Sequence, residues 1–152
     1  MLACGLLVAG AAAALDRDGS SAGFDKGFAT ITTRTGKIDL VVEIARTDAQ
    51  RQQGLMRRRS LGAKAGMIFL YEQPSRGGFW MKNTLIPLDI AFYDARGRIV
   101  RMLRMEPCKS DPCKIYSPNV SYRGALEVNA GSFARWLVKR GDAIAIRVNP
   151  KG

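Results

Sequence analysis

The chain has no histidine among its 152 residues. This absence excludes Ser-His-Asp and Cys-His triads, histidine-ligated zinc and any imidazole that acts as an acid or a base. Cysteine is also scarce, with three residues and no Cys-x-x-Cys spacing, which argues against a thiolate metal site. The sequence therefore predicts no metal and no cofactor, and any catalysis would have to use carboxylates, Lys, Tyr, Ser or Cys.

Acidic residues are few as well. The chain has 24 Lys and Arg against 13 Asp and Glu, which gives a formal net charge of +11. Such a balance favours polyanionic surroundings, for example anionic envelope polymers, lipid headgroups or phosphorylated ligands. The alternative is that the basic residues simply keep the domain soluble.

A long apolar run occurs at the N-terminus. Residues 1–15 carry no charge, and the chain turns polar at Asp16. An apolar core followed by small residues, with a cleavage site near Ala13 or Ala14, is typical of an export signal and too short to span a membrane. We expect a signal peptide at residues 1–15, a flexible lead-in at 16–27 and one domain at 28–150, in a periplasmic or secreted protein. A buried apolar N-terminal segment is the alternative.

Removal of the signal would leave two cysteines, Cys108 and Cys113. An even count outside the cytoplasm suggests a disulfide. The intervening Asp111-Pro112 step is a turn element, and it lets the chain double back so that the two residues approach each other. A redox or metal-binding role for the pair is the alternative.

Alternating apolar residues predict strands at 28–33 and 38–45, joined by a turn. Thr47 and Gln50 have the spacing of a capping box, which predicts a short surface helix that ends near Gly54. Further strands are predicted at 66–71, 79–82, 88–93, 98–105, 125–128 and 143–148, with a long surface loop at 107–122.

Asn129 is predicted to cap a second helix, because Phe133, Trp136 and Leu137 follow it at helical spacing. The fold class is therefore α+β and mainly β. We expect a small mixed, mostly antiparallel β-barrel of about seven short strands, with two short helices.

Several segments in one order resemble a known family, the domain of unknown function 192. They are residues 53–61 (QGLMRRRSL), 66–69 (GMIF), 79–90 (FWMKNTLIPLDI), 126–131 (LEVNAG) and 141–142 (GD). The resemblance covers roughly residues 28–148. It implies a compact, β-rich, stand-alone domain that is often exported in bacteria, and it brings no established reaction and no catalytic roles.

Within the 79–90 segment, strand parity sends Phe79 and Met81 into the core and leaves Trp80 and Lys82 side by side. A tight connection would bring Lys82 within cross-strand reach of Asp89. The candidate ligand-binding residues, gathered around one cleft, are Arg57, Trp80, Lys82, Asn83 and Asp89. The alternative is structural, with Trp80 a core or rim filler, Lys82 and Asp89 an ion pair, Asn83 a turn residue, and Arg58 and Arg59 on a solvated edge.

Three functions remain open. The first is an exported binding module for an anionic or carbohydrate-like envelope ligand. The second is a hydrolase or transferase with Lys82 as charge stabiliser, which requires two carboxylates in one cleft from the candidate acids Asp89, Glu106 and Glu127. The third is a structural or protein-interaction domain that presents sheet edges or the Cys108 to Cys113 loop. Nucleic-acid binding is weaker, because no DNA- or RNA-binding signature is present.

Overall fold

The computed structural model describes residues 23–149, so the expected signal peptide lies outside the described residues. The described chain is mainly β, with nine strands and two short helices. In chain order the elements are β1 Asp25–Thr33, β2 Gly36–Ala45, α1 Asp48–Gln53, β3 Ala65–Ser75, β4 Phe79–Trp80, β5 Leu88–Tyr93, β6 Ile99–Met105, β7 Ile115–Tyr116, β8 Tyr122–Asn129, α2 Ser132–Arg135 and β9 Ala143–Val148.

Seven of the strands form one mixed sheet in the order β6-β5-β8-β3-β2-β1-β9. Only the β2–β3 pair is parallel within it, and α1 lies in the connection between these two strands. β4 and β7 form a separate two-stranded antiparallel sheet. The expected mixed, mostly antiparallel arrangement is therefore confirmed.

The sheet does not close into the expected barrel. β6 and β9 are its two edges, and they meet only near the starts of both strands, through a bridge between Arg98 and Ala143. The Ile99 N–H donates to the Asp142 carbonyl at 2.9 Å, and the Ile144 N–H donates to the Gly97 carbonyl at 2.8 Å. Beyond this short seam the two edge strands do not pair, so the sheet is curved but open.

The first helix follows the sequence prediction. The Thr47 side chain accepts a hydrogen bond from the Gln50 N–H, and the Gln50 side chain accepts one from the Thr47 N–H, which completes the capping box. Gly54 caps the other end, and no residue of α1 is buried. Strands β5 and β9 also have the predicted bounds, whereas β1 begins at Asp25, inside the expected lead-in, and β4 has two residues rather than four.

The second helix differs from the prediction. Asn129 ends β8 and donates its side-chain N–H to the Leu61 carbonyl at 2.7 Å, so it does not cap α2. The N-cap residue is Gly131, and the helix has only four residues. Leu137 lies beyond it with a φ of 57° and is 58% exposed, so the predicted apolar stripe is reduced to Phe133 and Trp136.

The sheet separates two hydrophobic clusters. One contains Ile31, Leu40, Ile68, Leu126 and Phe133, and the other contains Met67, Phe69, Leu88, Ile90 and Phe92. Neighbouring residues of β5 alternate between the two clusters, because successive side chains of a strand point to opposite faces. β5 is consequently buried along its whole length.

Cys108 and Cys113 form a disulfide, with Cα atoms 5.5 Å apart. The bond closes a short loop between β6 and β7. Such a bond is compatible with an extracellular or periplasmic location. Separately, none of the helices in residues 23–149 has the length and apolar character needed to cross a membrane.

Candidate functional site

Trp80 and Lys82 lie side by side, as strand parity predicts. The Lys82 ammonium is 5.8 Å from the centroid of the Trp80 ring, while Met81 is buried in the core. Trp80 is 42% exposed. The two-residue strand β4 holds this segment by pairing with β7, where Trp80 is opposite Ile115. The indole therefore lies at the surface of the small sheet, next to a cation.

Arg57 and Asn83 are joined through their backbones. The Arg57 N–H donates to the Asn83 carbonyl at 2.7 Å, and both residues have positive φ, 64° and 55°. This contact links the loop after α1 to the loop after β4. Four of the five candidate residues, those other than Asp89, therefore lie on two adjoining segments.

The expected pairing of Lys82 with Asp89 is wrong. Lys82 binds Asp111 of the disulfide loop, with 3.0 Å between Nζ and Oδ2. Asp89 is buried on β5, and its Oδ2 accepts hydrogen bonds from the N–H groups of Gly131 at 2.8 Å and Phe133 at 3.3 Å. Because β4 and β5 pair with different strands, the two residues are not cross-strand neighbours. Asp89 instead caps the N-terminus of α2.

The three candidate acids lie in different places. Asp89 is opposite Val128, whereas Glu127 is opposite Ile90, so the two carboxyl groups leave the sheet on opposite faces. Glu106 is exposed beside the disulfide loop and accepts a hydrogen bond from Arg104 at 2.9 Å. The structure thus does not bring Asp89 together with Glu127 in one cleft.

A pocket of about 210 Å³ lies between α1 with its following loop, strand β3 and strand β4. Its aromatic walls are Phe69, Tyr71, Phe79 and Trp80, and Glu127 of β8 also lines it. Glu127 is 5% exposed whereas Trp80 is 42% exposed. The pocket therefore extends from an exposed indole to a buried carboxyl group. The volume suits a ligand smaller than the drug-sized molecules that fill pockets of roughly 300–1,000 Å³.

Glu127 is an unusual group for such a buried place. Burial raises the pKa of its carboxyl group from 4.5 to about 8, so the group is mostly protonated at pH 7. None of the salt bridges among residues 23–149 includes it. A buried acid without a cationic partner is costly to a fold, and such groups concentrate at functional sites.

Arg51 of α1 is the cation that lines this pocket, and it already makes three hydrogen bonds to other groups. Its guanidinium lies 4.8 Å from the centre of the Tyr71 ring and donates to the Leu70 carbonyl at 2.7 Å. It also pairs with Asp48 and donates to the Arg46 carbonyl. Through these contacts Arg51 fixes α1 over β3. Separately, burial and the neighbouring Tyr122 and Glu127 raise the pKa of the Tyr71 hydroxyl group.

Sequence reasoning missed Arg51, Tyr71 and Phe69 as pocket residues. It also placed Arg58 on a solvated edge, but Arg58 is buried and pairs with Glu43 at 2.5 Å. The sequence has three consecutive arginines at 57–59, and nothing in this pattern indicates that the middle one is buried. For Glu127 a signal existed, because a Glu amid the apolar residues 125–128 is a charge at a position where a strand is expected to be buried.

Three side chains of types that can bind a metal ion lie close together at the disulfide loop. Ligand atoms of Cys108, Asp111 and Cys113 lie within 4.8 Å of one another. Both sulfur atoms are joined in the disulfide, and a thiolate is the form that binds metal. The group therefore does not act as a metal site while the bond is intact.

The comparisons with known proteins identify the family but bring no activity. A crystal structure of a protein of unknown function from Novosphingobium aromaticivorans is 34% identical, covering 89% of this chain and 94% of its own, with a TM-score of 0.77. A Sinorhizobium meliloti protein described as a candidate transcription regulator is 32% identical, covering 84% and 98%, also with a TM-score of 0.77. No curated protein matches this chain.

The sequence profile of the domain of unknown function 192, described as an uncharacterized ancient conserved region, matches residues 30–146. That range includes at least part of every strand of the main sheet, and it includes the whole pocket. The chain belongs to the family of the domain of unknown function 192.

Proposed function

We propose that this chain is an exported binding module for a small carbohydrate-like ligand, held in the pocket between Trp80 and Glu127. The observation that carries the proposal is the pair itself, an exposed indole at the outer end of a pocket and a buried carboxyl group at the inner end. An indole offers a flat apolar platform for a sugar ring, and a carboxyl group bonds to its polar substituents. The disulfide supports a location outside the cytoplasm.

The site favours the carbohydrate-like ligand over an anionic one. An anion that reached the inner end would meet the Glu127 carboxyl group, and Arg51 already donates to two backbone carbonyls and to Asp48. Lys82, the cation nearest the indole, binds Asp111. The net charge of +11 supports a general affinity for polyanionic surroundings rather than an anion-specific pocket.

The enzymatic alternative receives less support. A glycosidase-type reaction needs two carboxyl groups across one cleft, and Glu127 is the acidic residue among the described residues that line this pocket. A protein-interaction role is supported by one observation, the exposed apolar pair of Phe28 and Val41 on neighbouring strands, 41% and 55% exposed. The arginines of the edge strand β6, Arg101 and Arg104, discourage strand addition there.

Nucleic-acid binding, which the description of the S. meliloti protein would suggest, is not part of the proposal. The two helices in residues 23–149 have six and four residues. A recognition helix that enters the major groove must reach several base pairs, and neither helix has that length.

The proposal is tested by titrating the protein with neutral monosaccharides and with sugar phosphates, measured by calorimetry and thermal shift. The variants are Trp80→Ala and, as a matched control, Phe28→Ala, which removes an aromatic ring of equal exposure, 41% against 42%, from β1. We expect a neutral sugar to bind the wild type and Phe28→Ala alike, and Trp80→Ala to bind about tenfold more weakly through loss of stacking.

Two results would overturn the proposal. One is that no monosaccharide, neutral or aminated, binds the wild type at millimolar concentration. The other is that Trp80→Ala binds as tightly as Phe28→Ala, which would place the sugar elsewhere. Preferential binding of the sugar phosphates would favour an anionic ligand instead.

A further inference from the structure

The inner end of the pocket offers a carboxyl group that no cation of the protein neutralises. Among residues 23–149, the charged or titratable groups that line the pocket with Glu127 are Arg51 from α1 and Tyr71 from β3. β4 contributes only Phe79 and Trp80. On the two strands that flank Glu127, the residues opposite it are Met67 and Ile90, which are apolar.

The positive charge of Arg51 is engaged by groups other than Glu127. The guanidinium is stacked on Tyr71, donates to two backbone carbonyls and pairs with Asp48. Burial alone accounts for the raised pKa of the Glu127 carboxyl group, and a nearby cation would instead have lowered it. No salt bridge of the described residues includes the Glu127 carboxyl group, so this group is available to pair with a cationic ligand.

The walls between the indole and the carboxyl group are aromatic. Phe69 and Phe79 meet edge to face with ring centroids 5.0 Å apart, and Tyr71 and Trp80 complete the lining. Aromatic faces attract organic ammonium groups, most strongly where water is excluded. Four rings and one carboxyl group in about 210 Å³ are the elements of an ammonium-binding cage.

We propose that the group of the ligand that enters this pocket is a protonated amine, which pairs with Glu127 inside the aromatic walls. The inference rests on the proposed function, because it assigns the chemistry at the inner end of the same site. The amine can belong to an amino sugar or to a free alkylamine. When it binds, the Glu127 carboxyl group loses its proton to solvent, and the carboxylate then faces the ammonium group.

The first experiment compares two sugars that differ in one group, glucosamine and glucose, with tetramethylammonium chloride as the sugar-free cation and sodium chloride as its ionic control. We expect glucosamine to bind the wild type at least about tenfold more tightly than glucose, a difference typical of a desolvated charge pair with cation–π contacts. In Glu127→Gln, which keeps the shape and removes the charge, we expect most of this preference for glucosamine to be lost, with only the contribution of the aromatic walls remaining.

The second experiment follows the proton of the Glu127 carboxyl group. Calorimetry of tetramethylammonium in two buffers of different ionisation enthalpy measures the protons released on binding. With tetramethylammonium as the ligand, which has no proton of its own to exchange, we expect close to one proton released per cation bound at pH 7, and none at about pH 9.5, where Glu127 is already ionised in the free protein. The Glu127→Gln variant should release none at either pH.

The outcomes separate the two proposals. Equal binding of glucose and glucosamine, with no proton release, leaves the sugar-binding function intact and overturns the amine. Binding of tetramethylammonium without either sugar supports the ammonium cage and overturns the carbohydrate-like ligand. Absence of binding by all three ligands overturns both.

Discussion

At the residue scale, Glu127 is the most informative side chain in the molecule. It lies on β8, between β3 and β5, at a position where its neighbours in register are apolar. A strand in this position would be more stable with an apolar residue. Under the proposed function, the ligand of the pocket would offset this cost to the fold.

The burial of the Glu127 carboxyl group makes the free energy of unfolding depend on pH. Burial raises the pKa of its carboxyl group from 4.5 to about 8. Between these two values the folded state holds a proton that the unfolded state has lost, so the free energy of unfolding falls as pH rises from about 4.5 to 8 and then levels off. We expect Glu127→Gln to lose this decline, and to exceed the wild type in stability at pH 8.5 by a few kcal/mol.

Urea denaturation at pH 5 and pH 8.5 measures this difference directly. Glu106→Gln is the matched control, because Glu106 is an exposed glutamate on the same chain. We expect its effect to be nearly the same at both pH values. A Glu127→Gln variant whose stability tracks that of the wild type at both pH values would show that Glu127 ionises normally.

At the scale of elements, the short helix α2 depends on a side chain from another element. With four residues it is too short to be stable alone. Asp89 of β5 accepts hydrogen bonds from the N–H groups of Gly131 and Phe133 at its N-terminus. The helix is therefore fixed to the sheet by a buried carboxylate, and Phe133 is placed in the core.

This role predicts that Asp89→Ala destabilises the protein by about 2–4 kcal/mol, because two N–H groups lose a charged acceptor in a mostly buried place. Asp89→Asn retains an acceptor oxygen and should cost less. Urea denaturation gives both values. If Asp89 were a ligand-binding residue, both variants would weaken binding in the Trp80 pocket, and we expect neither to do so.

Sequence reasoning did well for elements whose signal is local. The capping box at Thr47 and Gln50 depends on residues three apart, and α1 begins where that spacing predicts. It failed for Asp89 and Lys82, because each has a partner more than 25 residues away in the chain. Their partners are set by the strand order, which the periodicity of a single strand does not encode.

At the scale of the whole molecule, the curved sheet is held at its edges by one short seam. Gly97 lies there with a φ of 77°, and its carbonyl accepts the Ile144 N–H. A Cβ at this position would lie 2.3 Å from the Ile144 carbonyl oxygen. The close approach of the β5–β6 turn to β9 therefore requires glycine.

We expect Gly97→Ala to destabilise the protein by about 2–4 kcal/mol, from backbone strain and from separation of the seam. Gly131→Ala is the control, because Gly131 also has a positive φ, 83°, but nothing within 4 Å of its Cβ position. The loss of stability in Gly131→Ala should come from backbone strain alone. Urea denaturation measures both, and amide exchange at Ile99 and Ile144 should accelerate only in Gly97→Ala. Equal losses in both variants would show that the seam contributes little.

The sequence by itself determined the family, the mainly β class, the first helix and the separation of the exposed Trp80 from Phe79 and Met81, which pack against the core. These follow from alternation along a strand, from capping chemistry and from an ordered series of motifs, all of which are written in neighbouring residues. Only the tertiary structure decided that the sheet stays open, that Lys82 binds Asp111, and that Glu127 and Trp80 line one pocket. These depend on which distant strands pair, because strand order sets the neighbours and the face of every side chain.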